Sequence, residues 1–175
     1  MRLPFIVFSV ALATASPTLA AMTLTSTDLK PGATMPPAHI YPRCGGQNLS
    51  PQLAWSAPPK QARSLVLTMI DMDVTPNLWS HWIVTGLPAR AGSLGEGLKG
   101  LPAGAQAVKS NFGEAAYDGP CPPPGSGVHH YRFTVWAIPA TDFAADPDQK
   151  ADELVARLSA IALDRAVLTV TAKAK

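Results

Sequence analysis

Ser64-Leu65-Val66-Leu67-Thr68-Met69-Ile70, followed at once by Asp71-Met72-Asp73, is the stretch on which the architecture turns. A strand with one wet face alternates apolar and polar residues. This one is apolar at odd and even positions alike, so it belongs in the middle of a sheet that is covered on both sides. Its neighbours come from further along the chain. His81-Trp82-Ile83-Val84-Thr85-Gly86-Leu87 is a second strand, stopped by Pro88. Tyr131-Arg132-Phe133-Thr134-Val135-Trp136-Ala137-Ile138 alternates cleanly until Pro139. Val167 to Thr171 and Met22 to Ser26 complete the readable strands, all rich in β-branched and aromatic residues and punctuated by glycine or proline. One helix is legible. Asp146-Pro147 offers an N-cap followed by proline at the first helical position. Leu154, Leu158 and Ile161 then recur at i, i+4 and i+7, which predicts a helix over 147–162 with one apolar stripe laid on a sheet.

The first twenty residues read differently from the rest. Arg2 precedes an almost unbroken apolar run from Leu3 to Ala15, and Ser16-Pro17-Thr18-Leu19-Ala20 supplies a helix break and small residues. That is the pattern of a secretory signal peptide cleaved after Ala20, and the run is shorter than the roughly 20 residues of a spanning helix. The expectation is a signal peptide at 1–20 and a single domain at 21–175, exported to the periplasm or beyond, with no integral membrane span after cleavage. No cysteine stands at the cleavage point to carry a lipid anchor. Removing 20 residues from 175 leaves 155, enough for one domain with a real core. Loss of Arg2 leaves 13 basic against 12 acidic residues, a balance that provides no electrostatic reason to expect nucleic acid. Charged residues make up only 15%, while prolines number 18, which suits a compact, loop-rich β protein.

Export bears on Cys44 and Cys121, the two cysteines. In an oxidising compartment an even count favours a disulfide over a catalytic thiol, and Cys121 lies between Pro120 and Pro122 rather than at a helix N-terminus that would activate it. The bridge would close a 77-residue loop, worth up to about 4.5 kcal/mol by chain entropy. Two other strings carry little. Gly95-Glu96-Gly97-Leu98-Lys99-Gly100 spells the dinucleotide fingerprint, but Leu101-Pro102-Ala103-Gly104 follows where the fingerprint requires a helix, so a surface loop is expected. Asn48-Leu49-Ser50 spells a glycosylation sequon and is followed by proline in a chain whose leader looks bacterial.

The residues with chemistry fall into three clusters. Asp71-Met72-Asp73 ends the central strand. Its carboxylates are expected on opposite sides of the chain, one facing a pocket and one holding the loop through backbone N–H groups. Trp79-Ser80-His81-Trp82 re-enters the sheet. The proline-rich run Tyr117-Asp118-Gly119-Pro120-Cys121-Pro122-Pro123-Pro124-Gly125-Ser126-Gly127 is a stiff loop that delivers His129 and Tyr131 to one side of an extended chain, with His130 opposite. Three of the protein's four histidines stand in these clusters.

Together these strings resemble the signatures of bacterial phosphatidylethanolamine-binding proteins of the Raf-kinase-inhibitor-like branch. Cys44-Gly45-Gly46-Gln47-Asn48-Leu49-Ser50-Pro51 with Leu53-Ala54-Trp55 resembles the opening signature of that family. Asp71-Met72-Asp73 is similar to its D-P-D-A-P element, and Trp79 to Trp82 to its W-x-H-W element. Gly119 to Pro123 with His129-His130-Tyr131-Arg132-Phe133 is similar to its G-x-x-P-P…H-R-Y-x-F element. Met72 and Val74-Thr75 depart from the pattern, and His130 stands where many relatives carry arginine. The resemblance runs from about Met22 to the C-terminus. It implies a mainly β fold with a large central sheet, a smaller second sheet and peripheral helices. It also implies a small pocket for phosphate or a phospholipid headgroup, lined by Asp71, His81, Pro123, His129 and Tyr131, with Trp79 on its rim and Asp73 supporting the loop.

An anion beside Asp71 calls for a histidine made cationic by that carboxylate, or for a zwitterionic headgroup whose ammonium Asp71 receives. Anion affinity is expected to fall as pH rises. No serine stands in a nucleophile-elbow context and no HExxH-type spacing is present, so the chain is read as a binding protein without catalytic residues, cofactor or metal. Two classes compete. One is an acid–base or metal-dependent hydrolase, in which Asp, His and Tyr move protons or His81, His129 and a carboxylate ligate zinc. The other is a protein-interaction module such as a protease inhibitor, with the Gly92 to Gly104 loop as a contact surface.

Overall fold

The computed structural model describes residues 20–146 and 148–174. The signal-peptide reading falls almost entirely on residues outside that range. No described helix is long and apolar enough to cross a membrane.

Among the described residues, eight strands form two antiparallel sheets. The smaller contains β1 (Leu24–Thr25), β2 (Leu53–Trp55) and β5 (Gly92–Leu94) in the order β1-β2-β5. The larger contains β3 (Ser64–Asp71), β4 (Trp79–Pro88), β6 (Gln106–Val108), β7 (Val128–Ile138) and β8 (Asp164–Lys173), ordered β6-β4-β3-β7-β8. β3 is the central strand and is buried at every position, as its two-sided apolarity requires. Its two faces feed two cores. Leu65, Leu67 and Met69 join Phe133 and Val135 of β7 and meet Leu53, Trp55 and Leu94 of the small sheet. On the opposite face Val66, Trp136 and Ile138 pack against Phe143 and the helix residues Leu154 and Leu158. The outer edge of β8 is covered by the chain around Thr34, through Gly32 N–H to Thr169 O at 2.8 Å and Met35 N–H to Thr171 O at 2.7 Å. Covering an edge in this way removes a template for aggregation.

Three expectations need correction. The only α-helix among the described residues, α1, spans Ala151–Ile161 and not 147–162. Asp146 caps a turn instead: its side chain accepts from Asp148 N–H at 2.9 Å and its carbonyl from Gln149 N–H at 3.2 Å. Pro147 lies outside the described residues. Ile161 is 38% exposed, so the buried stripe is Leu154 and Leu158 alone. The peripheral elements beyond α1 are two 3-10 turns, Pro37–His39 and Pro42–Cys44. Finally, the Gly92 to Gly104 segment is not one open loop. It begins as β5, and its turn is docked by Gly97 N–H to Ser50 O at 2.8 Å and Leu98 N–H to Ser50 Oγ at 3.0 Å.

Candidate functional site

The site lies where β3 ends, β4 begins and β7 begins. Asp71 pairs across the sheet with Trp79 on one side and Tyr131 on the other. Pairing alone would not bring His81 there, because alternation sends His81 and Trp82 to opposite faces. The register between β3 and β4 shifts between Met69 and Ile70, whose partners are Trp82 and Ser80, leaving His81 as the extra residue of a β-bulge. A bulge re-aims a side chain. Trp82 stays in the inter-sheet core, edge-on to Tyr117 at 5.5 Å, while His81 packs edge-on against Tyr131 at 5.1 Å, on the same face. His129 stacks on the Tyr131 ring at 6.4 Å. Tyr131, with no exposed surface, is thus flanked by both imidazoles.

Each ring is held through the same nitrogen. His129 Nδ1 lies 2.7 Å from Asp71 Oδ2, both side chains being almost fully buried. His81 Nδ1 donates to the Asp118 carbonyl at 2.8 Å, and Asp118 N–H donates back to the His81 carbonyl at 3.1 Å. With Nδ1 engaged in both rings, Nε2 is the nitrogen left for a ligand. Burial pushes the His81 imidazole down to about 4, against the opposing pull of the Asp118 carbonyl and the Asp71 charge. Burial first, then the nearby Asp71 charge, drives the Tyr131 phenol well above its ordinary range, so it stays a hydroxyl. Burial also raises the Asp118 carboxyl, whose Oδ2 has no hydrogen-bond partner among the described residues.

Asp71 and Asp73 take different partners, though not through alternation along a strand. Positions two apart in an extended strand share a face. The carboxylates separate because β3 ends at Asp71 and the chain bends at Met72-Asp73. Asp71 Oδ1 accepts from Asp73 N–H at 3.0 Å, and Asp73 Oδ2 turns to the backbone N–H and Nδ1 of His130 at 2.6 and 3.0 Å. Burial by itself would raise the Asp73 carboxyl, but these two His130 bonds outweigh it and hold the group below its usual range.

Of the residues expected in the pocket, Asp71, His81, His129 and Tyr131 come together. Trp79, 38% exposed, joins them through Phe112: the Phe112 ring is 6.0 Å from Trp79, 4.9 Å from His81 and 5.7 Å from Tyr41. Pro123 does not join them; it is exposed and lines a different cleft, of about 610 Å³, with Arg43 and the two cysteines. Cys44 and Cys121 are bonded, with Cα atoms 5.5 Å apart. That bridge fastens the opening signature to the proline-rich loop, and Tyr41 N–H adds a bond to Pro120 O at 3.1 Å.

Several supporting residues were not among those expected to line or hold the pocket. Asn48 adopts a left-handed backbone (φ 56°) and bonds the Tyr117 carbonyl at 3.2 Å and Gly119 N–H at 2.7 Å. Gly119 lies so close to the His39 carbonyl and Tyr41 N that a Cβ there would collide with backbone. Asn48 and Gly119 therefore set the loop whose Asp118 carbonyl orients His81. Phe112 had no motif around it; only the fold brings it to the rim.

A family model described as phosphatidylethanolamine-binding protein matches residues 25–173. LppC of Mycobacterium tuberculosis, whose name makes it a candidate lipoprotein, is 40% identical over 126 residues, covering 72% of this chain and 60% of its own length. YbcL of Escherichia coli is 37% identical over 136 residues, 73% of this chain and 74% of its own. The crystal structure of E. coli YbcL, described as a new member of the mammalian PEBP family, superposes with a TM-score of 0.80 at 32% identity, covering 89% of this chain and all of that one. The structure of the homologue CT736 from Chlamydia trachomatis gives a TM-score of 0.71 at 31% identity, covering 89% of this chain and 99% of that one.

Proposed function

The chain belongs to the phosphatidylethanolamine-binding protein family, and from that premise we propose that it is an exported, non-catalytic protein that binds a small phosphorylated anion between His81, His129 and Tyr131. The anion is free phosphate or a headgroup such as phosphoethanolamine. The observation that carries this reading is the pair of buried imidazoles flanking Tyr131, each with Nδ1 engaged and with no hydrogen bond at Nε2 among the described residues.

Asp71 is already bonded to His129 and to Asp73 N–H. It therefore serves to orient His129 rather than to receive an ammonium. The ammonium of a zwitterionic headgroup would meet the aromatic rim of Trp79, Phe112 and Tyr41, where cation–π attraction is available. Nucleophilic catalysis by a histidine-activated hydroxyl is disfavoured because no serine or threonine hydroxyl among the described residues is hydrogen-bonded to His81 or His129. Export is supported by the apolar start of the chain ending in small residues at Ala20 and by the disulfide, a bond typical of oxidising compartments.

His81 is neutral at physiological pH in the free protein. A phosphate oxyanion placed beside its Nε2 favours the protonated ring, so binding takes up a proton and affinity falls as pH rises above about 4. Calorimetric titration with phosphate and with phosphoethanolamine, repeated across pH in buffers of different ionisation enthalpy, tests this. Proton uptake in the wild type, with binding lost in His129→Gln, is the expected outcome. Binding without proton uptake removes histidine charge from the mechanism, and unchanged binding in the variant removes the site.

A further inference from the structure

Away from the phosphate site, Asp28, His39 and Glu96 each offer a ligand-type atom, and these three atoms lie within 4.8 Å of one another. They arrive from separate segments: Asp28 after β1, His39 in the first 3-10 turn, and Glu96 in the glycine-bracketed turn after β5. His39 is 2% exposed. Its Nδ1 lies 2.8 Å from the Leu49 carbonyl, which can only accept, so that nitrogen carries the proton. Nε2 faces Asp28 Oδ2 at 4.0 Å, beyond hydrogen-bond range. The result is a buried imidazole nitrogen turned toward carboxylates and without a hydrogen bond among the described residues.

The surroundings hold these groups in place. Asp28 Oδ2 accepts from Gln52 N–H at 2.6 Å and Oδ1 from the Thr27 hydroxyl at 2.8 Å. The Glu96 turn is pinned by the two Ser50 bonds to Gly97 and Leu98. An imidazole whose far nitrogen donates to a backbone carbonyl is the usual outer-sphere arrangement of a metal ligand.

We propose that Asp28, His39 and Glu96 form a zinc site, with one imidazole nitrogen, two carboxylate oxygens and a fourth position left to water. The two carboxylate charges balance a divalent ion, and the imidazole nitrogen favours zinc over magnesium or calcium. Tetrahedral zinc bonds would set the donor atoms about 3.4 Å apart, so the site closes by an inward swing of Glu96 together with a small approach of the Asp28 carboxylate to His39 Nε2, now 4.0 Å away. The Glu96 side chain is exposed and free to swing. Zinc would fasten the chain after β1, the first 3-10 turn and the β5 turn to one another. The carbonyl of His39 accepts from the Tyr117 hydroxyl at 2.8 Å, so the site adjoins the loop that orients His81.

Untagged protein with its disulfide intact and stripped by chelator is titrated with zinc chloride by calorimetry, with thermal unfolding followed in parallel. One zinc per chain is expected, with a Tm that climbs with zinc concentration. Glu96→Gln should keep the metal-free Tm and lose at least about tenfold in zinc affinity. His129→Gln should bind zinc like the wild type. X-ray absorption should show one nitrogen among oxygen donors. Absence of saturable binding overturns the proposal. So does wild-type affinity in Glu96→Gln, or loss of zinc in His129→Gln, which would move the metal to the other histidines.

Discussion

Two His–Asp pairs stand side by side in this protein and do different work. His129 and Asp71 meet at 2.7 Å with side chains 6% and 4% exposed; His130 and Asp73 meet at 3.0 Å with 53% and 37% exposed. The residue types are the same and the chain positions are adjacent. What separates them is the pleat of β7, which turns residue 129 inward and residue 130 outward, and the bend of the chain after Asp71. In water a carboxylate and an imidazole gain little from each other. Buried, each would be costly alone, so the pair acts as a unit.

The largest effect should come from breaking the buried pair. Asp71→Ala strands His129 without a partner and removes the acceptor for Asp73 N–H. A loss of about 3–5 kcal/mol is expected, because removal of one member of a buried pair leaves the other uncompensated. Urea unfolding monitored by tryptophan fluorescence measures it. A loss below about 1 kcal/mol would make the buried pair no different from a surface pair.

His81 sharpens the comparison, being as buried as His129 but facing a carbonyl instead of a carboxylate. Its pKa falls to about 4 in the folded protein, against about 6.5 in the unfolded chain. The unfolded state therefore binds more protons between these values, and stability drops as pH falls from about 6.5 to about 4. The loss is on the order of 3 kcal/mol. Stability measured against pH should be steeper over this window in the wild type than in His81→Gln. Parallel curves would show that His81 does not titrate as a buried neutral base.

The loop that holds His81 can be loosened without touching a titratable group. Gly119→Ala places a methyl against the backbone of His39 and Tyr41. An overpacking cost of about 2 kcal/mol is expected, together with weaker phosphate binding as the Asp118 carbonyl shifts. Retained binding at lowered stability would separate the loop from the site.

How far these features were readable in the sequence follows physical lines. β3 was legible because a strand buried on both faces writes its burial into every position. His129 and Tyr131 were legible because alternation is local. The company that His81 keeps was not, since a bulge exists only relative to a partner strand. β2, β5 and β6 have three residues each, too few to show a period. Asp146 was misread because the residue types that cap helices also cap turns. Asn48 stands in the opening signature, but its spelling says nothing of its left-handed backbone, and Phe112 gains its role from tertiary contacts alone.

The smallest effect tests the comparison from its exposed side. Asp73→Asn removes the charge facing His130 but keeps an oxygen to accept the His130 N–H. A change under about 1 kcal/mol is expected at neutral pH, since both partners are open to solvent and salt. Asp73 is an acid with a lowered folded pKa. Its contribution is therefore present above the unfolded value of about 4 and fades as pH falls through the folded one. The difference between wild type and Asp73→Asn should shrink in strong salt and vanish in acid, with phosphate binding retained. A larger, salt-insensitive loss would mean that the Asp73 pair holds the turn after β3 as firmly as the Asp71 pair holds its end, and that exposure does not set the two apart.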